Sequence, residues 1–363
     1  MPVIFENPAN TPSNKSQKYS LHLSALAYWY NTKSGYKVSV SKPIVDRLTL
    51  TYDIADPELQ LIICQYLWNT AADDNYPSIQ NAKTKLKKMF GAPNYGTSVQ
   101  FVPPGNIGSV FIQARMGNAL QKSGKPKSKP KEQAFLRFDL NPARLGSHGL
   151  SLFKDELSNI FLETADVAWA ALATKATISR LDIAVDLINV DIEDLMFRYK
   201  KTGGKSSNYF GVSTKLETRY LNVKKGGSKT YVYDRRQRLL DLQKSGGGSG
   251  PEYGDTPHTR IEFRTNTKKP VVELPKLMNH SKKIEIFDID AGDPPEEAHH
   301  WRLFQDSCRY RGLSGALELL PEGLRGKYEA TVQSVESELW RPDSLWEKWP
   351  ESLKASGLLD LGE

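Results

Sequence analysis

The run Thr177–Ile188, TISRLDIAVDLI, restricts the fold more than any other part of the chain. Its apolar residues recur at every second position, so Leu181, Ile183, Val185 and Leu187 line one face of a strand. Arg180, Asp182, Ala184 and Asp186 line the other face. Carboxylates sharing a strand face repel and resist burial, so they need a cation, an arginine partner or water. HTRIEFRT (His258–Thr265) repeats the pattern, with His258, Arg260, Glu262 and Arg264 opposed to Ile261 and Phe263. In KTYVYD, Lys229, Tyr231 and Tyr233 share a face, with Val232 and Asp234 on the other.

Around these strands the pattern changes repeatedly between period two and helical spacing. Strand-like runs are expected at Arg47–Ile54, Ser98–Val102, Ser109–Ala114, Phe135–Leu140, Tyr209–Ser213 and Thr218–Val223. Helical spacing covers Leu59–Thr70, Ala82–Phe90, one or two helices in Ser151–Thr174, Asp191–Lys200 with acids in its first turn, and Arg236–Gln243. Lys224-Lys225-Gly226-Gly227 joins two strands as a hairpin would. Without regular βαβ alternation, the fold class is α+β: antiparallel sheets flanked by helices, with a mainly helical, acidic C-terminal region. The expected divisions are a loose arm at 1–18, an α+β region at 19–150, a second α+β region at 151–298 that holds the three strands above, and the helical region at 299–363. Trp301, Trp340, Trp346 and Trp349 in that last region read as packing anchors.

Charge is divided along the chain. Overall there are 49 Lys+Arg and 42 Asp+Glu, a formal +7 in 363 residues. Arg198–Lys244 alone carries +10, and Glu285–Glu363 carries −9. A basic block interleaved with Tyr199, Tyr209, Tyr220, Tyr231 and Tyr233 suits a polyanion, because cations displace counterions from phosphates and rings stack on unpaired bases. It equally describes a solvated basic face with its tyrosines half in the core. Lys122–Lys131 is a further Lys- and Pro-rich stretch without an acid. No apolar run approaches the ~20 residues that span a bilayer, so no membrane partner is expected. Cys64 and Cys308 make neither a disulfide framework nor a cysteine zinc site, and a reducing cytoplasm is the default. No His-hydrophobic-His motif occurs, and the adjacent His299 and His300 are expected to point apart on a helix.

Three carboxylates offered from neighbouring strands would form an all-oxygen site suited to Mg²⁺ or Mn²⁺. The alternative is that Arg180 and Arg260 pair with these acids on a wet sheet face. A tyrosine flanked by cations could attack a phosphodiester, although a strand tyrosine is far more often a packing residue. Two other readings stay open: a hydrolytic two-metal nuclease that uses the three acids to activate water and needs no tyrosine, and a non-catalytic basic nucleic-acid-binding module whose acids are structural.

Taken in order, RLDIAVD (Arg180–Asp186), TRYLNVKKGGSKTYVYDRR (Thr218–Arg236) and TRIEFR (Thr259–Arg264) resemble the replication initiation factor family, the Rep_trans type of rolling-circle plasmids and filamentous phages. LRFDLNPARLG (Leu136–Gly146) is similar to a segment that phage members carry upstream. The resemblance implies a metal-dependent nicking and closing enzyme, in which a tyrosine attacks origin DNA to leave a 5′-phosphotyrosyl link and a free 3′-OH primer. Carried over, Tyr233 is the nucleophile, and Asp182, Asp186 and Glu262 hold Mg²⁺ or Mn²⁺. Arg235 stands where the family has a lysine two after the tyrosine, and Tyr231 where it has a basic residue two before. Tyr231 thus stays open as an alternate nucleophile, with Tyr220 third. Arg219, Lys224, Lys225, Lys229 and Arg236 are the expected phosphate contacts. Origin DNA, single-stranded or hairpin, is the implied partner in a bacterial cytoplasm. A host helicase on the acidic region and a second copy of the chain stay open.

Overall fold

The computed structural model describes residues 3–5, 19–21, 25–32, 37–72, 79–80, 97–104, 108–115, 134–200, 207–211, 215–223, 228–246 and 250–359. The strands are β1 (Val3–Phe5), β2 (Tyr19–Leu21), β3 (Leu26–Asn31), β4 (Lys37–Ser41), β5 (Ile44–Ile54), β6 (Ile79–Gln80), β7 (Thr97–Phe101), β8 (Val110–Arg115) and β9 (Ala134–Leu140). They continue as β10 (Thr177–Ile188), β11 (Met196–Tyr199), β12 (Ser207–Phe210), β13 (Leu216–Val223), β14 (Lys229–Asp234), β15 (His258–Thr265) and β16 (Ile284–Phe287). The fold is α+β as expected, and the C-terminal region is helical from Ala298–Arg311 to Trp349–Ala355.

The chain divides into two units. Each is assembled from separate stretches, Met1–Ile44, Ile183–Arg264 and Met278–Trp349 in the first, Val45–Asp182, Thr265–Leu277 and Pro350–Glu363 in the second. β10 contributes to both. The segment expected to be a loose arm includes β1, which pairs antiparallel with β2, Val3 opposite Leu21.

In the first unit β12, β13, β14, β15 and the second half of β10 lie side by side in that order, and β4 pairs with the end of β10, Val40 opposite Leu187. The alternation of these strands buries most of one face. Val185, Leu187, Leu221, Val232, Ile261 and Phe263 form one core with Leu339, Trp340 and Leu345 from the acidic C-terminal region. Each such side chain contributes about 1.5–3 kcal/mol by leaving water. Trp340 Nε1 also donates to the Ser281 carbonyl at 3.1 Å, and Tyr28 Oη donates to the Leu339 carbonyl at 3.1 Å. A second cluster packs Trp301, Phe304 and Tyr328 against Met196 and Phe287. Trp301, Trp340 and Trp349 are buried, as packing anchors should be.

In the second unit the first half of β10 is followed by β5, β9, β8, β7 and β6. Phe153 of the helix Pro142–Phe161 packs edge-on against Phe138 of β9 at 5.7 Å. Asn141 caps that helix by accepting from Arg144 N at 3.0 Å, and Pro142 follows, where its missing N–H costs nothing.

One expected helix is absent. Asp191–Lys200 folds as a turn followed by β11, which pairs with β16. The three acids act locally instead: Asp191 N donates to Asp194 Oδ2 at 3.0 Å and Glu193 N donates to Asp191 Oδ1 at 3.1 Å. Short acidic side chains that capture nearby backbone N–H groups compete with the helix. The segment Ala82–Phe90, also expected to be helical, lies outside the described residues.

Candidate functional site

The register of β12–β15 arranges the polar face in rows. Tyr209, Thr218, Tyr233 and Arg260 are successive cross-strand partners, and so are Ser207, Tyr220, Tyr231 and Glu262. Lys229 faces Arg264. Directly opposed residues share a face, so the tyrosines, Glu262, the two arginines and Lys229 stand on one side of the sheet. Val232, Ile261 and Arg219 stand on the other.

The two candidate nucleophiles have different surroundings. Tyr233 Oη lies 3.4 Å from Glu262 Oε2, a long donor–acceptor contact. Arg264 Nη2 holds the other oxygen, Oε1, at 3.2 Å. The ring of Tyr231 carries the Arg264 guanidinium 5.0 Å above its centre and meets Tyr220 edge-on at 5.2 Å. A carboxylate to take a proton therefore stands at Tyr233, and Tyr231 is part of an aromatic and cationic stack.

Deeper on the same face, Arg260 donates Nε to Asp186 Oδ1 at 2.6 Å and Nη2 to Oδ2 at 2.8 Å, and His258 Nε2 lies 3.1 Å from Oδ1. All three are buried, Asp186 at 5% exposure. Burial alone would raise the Asp186 carboxyl, but Arg260 and then His258 outweigh it and hold it far below the usual carboxylate range. Tyr253 stacks edge-on against His258 at 5.2 Å, and burial, with Asp186 nearby, raises its phenol. In the second unit Asp182 is clamped by Arg180, whose Nε lies 3.0 Å from both carboxylate oxygens.

Each of the three expected metal ligands thus has an arginine of its own, Arg180 and Arg260 pairing with the acids as the alternative reading had it, and all three carboxylates are buried. Both Asp186 oxygens accept from one guanidinium, so a divalent cation there would sit against a fixed positive charge. As arranged, these residues do not fit a resident Mg²⁺ or Mn²⁺. Among the described residues the one group of three His, Cys, Asp or Glu with converging ligand atoms is Glu297, His299 and His300. The two imidazoles, expected to point apart, have centroids 4.0 Å from each other. All three side chains are exposed at the N-terminus of the helix Ala298–Arg311, where the dipole disfavours a cation.

The expected phosphate contacts divide. Arg219 is corrected: it is 0% exposed, on the apolar face, with Nη2 donating to the Arg309 carbonyl at 3.1 Å and Nη1 against Met196 Sδ at 3.3 Å. Burial lowers its pKa to about 10. Its counter-charge is the carbonyl end of the helix Ala298–Arg311, so it cannot meet a phosphate. Arg236 turns back on its own loop, donating Nε to the Gly254 carbonyl at 3.0 Å and Nη2 to Asp255. Arg235 opens the helix Arg235–Lys244, which Asp234 caps by accepting from Gln237 N at 2.8 Å; the buried Arg235 Nε has no partner among the described residues. Lys229 is half-buried on the polar face. Lys224, Lys225 and Lys122–Lys131 lie outside the described residues. His258, Arg260 and Arg264 were not among the expected site residues, although their alternation with Ile261 and Phe263 marks them in the sequence.

No protein-family model matches this chain, and no curated protein matches its sequence.

Proposed function

We propose that the chain is a rolling-circle replication initiator that nicks one strand of origin DNA through Tyr233 and reseals it. The observation that carries this reading is the Tyr233 hydroxyl held at the Glu262 carboxylate on a sheet face that also bears Arg264 and Lys229. Glu262 accepts the phenolic proton, and the Tyr233 oxygen attacks the scissile phosphorus. The Tyr–O–P bond forms as the P–O3′ bond breaks, and the departing 3′-oxygen takes up a proton. Arg264 and Lys229 offset charge on the phosphoryl oxygens. In closing, a 3′-hydroxyl attacks the phosphotyrosine and releases Tyr233, so the bond energy is retained and no nucleotide is consumed. No step is routed through a divalent cation.

The arginine on each acid favours a second reading, a DNA-binding protein without chemistry. One experiment separates the two. The full chain is incubated with a 3′-labelled pool of random single-stranded oligonucleotides, with Mg²⁺, Mn²⁺ or a chelator, and denatured. Label that remains on the parent and on Tyr231→Phe, and vanishes with Tyr233→Phe, supports the nicking reading. Binding without any covalent label establishes the second one. The chelator arm reads the cation dependence that the family resemblance implies.

A further inference from the structure

Exposure changes steadily along the rows of the polar face. Arg260 and Glu262 on β15 are buried, Tyr233, Tyr231, Thr218 and Tyr220 on β14 and β13 are half-buried, and Tyr209 on β12 is 57% exposed. The face is therefore a ramp, closed beside β10 and open at β12. With neighbouring strands ~4.8 Å apart, Tyr209 stands about 10 Å from the Tyr233 strand, a distance a flexible single strand crosses in one or two nucleotides. Of the side chains in these rows four are tyrosines, three are cations and one, Glu262, is an acid.

We propose that the open half of this ramp is a stacking site for the unpaired bases of single-stranded DNA, with Tyr220 and Tyr209 as the stacking rings and Lys229 as a phosphate contact. This rests on the reading of the chain as a protein that acts on DNA, and it names how the strand is held. Unpaired bases are the occupant that fits. A sheet face is too broad for a duplex groove, whose paired bases hide their ring faces, whereas aromatic rings on a sheet accept any unpaired base. Edge-on packing of Tyr220 against Tyr231 fixes the Tyr220 ring without covering both of its faces. Charge agrees: Leu339, Trp340 and Leu345 of the acidic region lie in the core under the opposite face. The register also sorts the tyrosines of the basic block, because Tyr199 packs into that opposite core and burial raises its phenol.

The test uses the full chain and fluorescence anisotropy, with a short dT oligomer and an abasic oligomer of equal length as probes. Tyr220→Leu and Tyr209→Leu are each expected to weaken dT binding about tenfold and to leave abasic binding and its salt dependence unchanged. Tyr220→Phe keeps the ring and keeps the affinity. Lys229→Gln weakens both probes and lowers the salt slope by about one. The proposal is overturned if the parent binds dT no tighter than the abasic oligomer, or if the leucine variants weaken both probes equally. A parent that stacks dT but forms no covalent adduct would overturn the nicking reading and leave this one standing.

Discussion

Arg260 and Asp186 form a fully paired ion bridge inside the first unit, through two hydrogen bonds of 2.6 and 2.8 Å. Removing one member of a buried pair leaves the other charge stranded, at about 3–5 kcal/mol, whereas an apolar pair of similar volume is often neutral. Asp186→Asn is expected to lower the unfolding free energy by about 3 kcal/mol, and Asp186→Leu with Arg260→Met by less than either single replacement. Urea melts of the parent, Asp186→Leu, Arg260→Met and the double variant give the cycle, with Asp186→Asn measured beside them. If Asp186 were chiefly a metal ligand, the single replacement would cost little in the presence of a chelator. The depressed carboxyl also sets an acid limit. Its stabilisation is present above the unfolded value of about 3.9 and is lost only as pH falls below that toward the folded one.

Arg219 makes the opposite prediction from a surface arginine. Buried against the Arg309 carbonyl, it contributes nothing to phosphate binding. Arg219→Met should leave the salt slope of DNA binding unchanged, where loss of a phosphate contact would lower it by about one. Any effect belongs in the thermal melt, read as a change in the docking of the helix Ala298–Arg311.

His280 gives a pH dependence of its own. It is buried with Nδ1 3.1 Å from Lys283 Nζ, and burial, then Lys283, lowers its pKa to about 4. Between that value and the unfolded value of about 6.5 the unfolded chain binds the extra proton, so stability rises with pH across this window. The full span is about 3 kcal/mol at most. Chemical denaturation at pH 4.5 and 7 should show the difference in the parent, and His280→Gln should flatten it.

The two thiols should react in sequence. Cys308 is 0% exposed, and burial pushes its thiol up to about 12 against the opposing pull of Arg219 and Arg309. Cys64 is half-buried, and burial raises its thiol as well. A thiol reagent at neutral pH should label Cys64 in the native protein and Cys308 only at the rate of unfolding, followed by mass spectrometry.

Strands were legible wherever burial on one face imposes alternation. β10 and β15 have the ends that Thr177–Ile188 and His258–Thr265 suggest. The segment after Asp191 misled because its acids sit at helix-start spacing yet cap a turn, a choice made by the pairing of β11 with β16. Within the site, two arginine–acid pairs, Arg180–Asp182 and Arg264–Glu262, join residues two apart on one strand and are visible in the sequence. Arg260–Asp186 crosses between strands and is decided by the order of the sheet. Arg219 shares parity with Leu221, so its burial was legible in the alternation; its charge suggested surface, because nothing local announces a helix end 90 residues on as its partner.

The floor beneath the tyrosine face has a temporal consequence. Val232, Ile261 and Phe263 are covered by Leu339, Trp340 and Leu345, and the Tyr28 hydroxyl closes onto the Leu339 carbonyl across 311 residues. A ribosome therefore delivers β13, β14 and β15 long before the residues that support them. Contacts this distant in sequence form late. A nascent chain that already contains Tyr233 lacks part of the core beneath that strand, which is completed only once residues 339–345 have emerged.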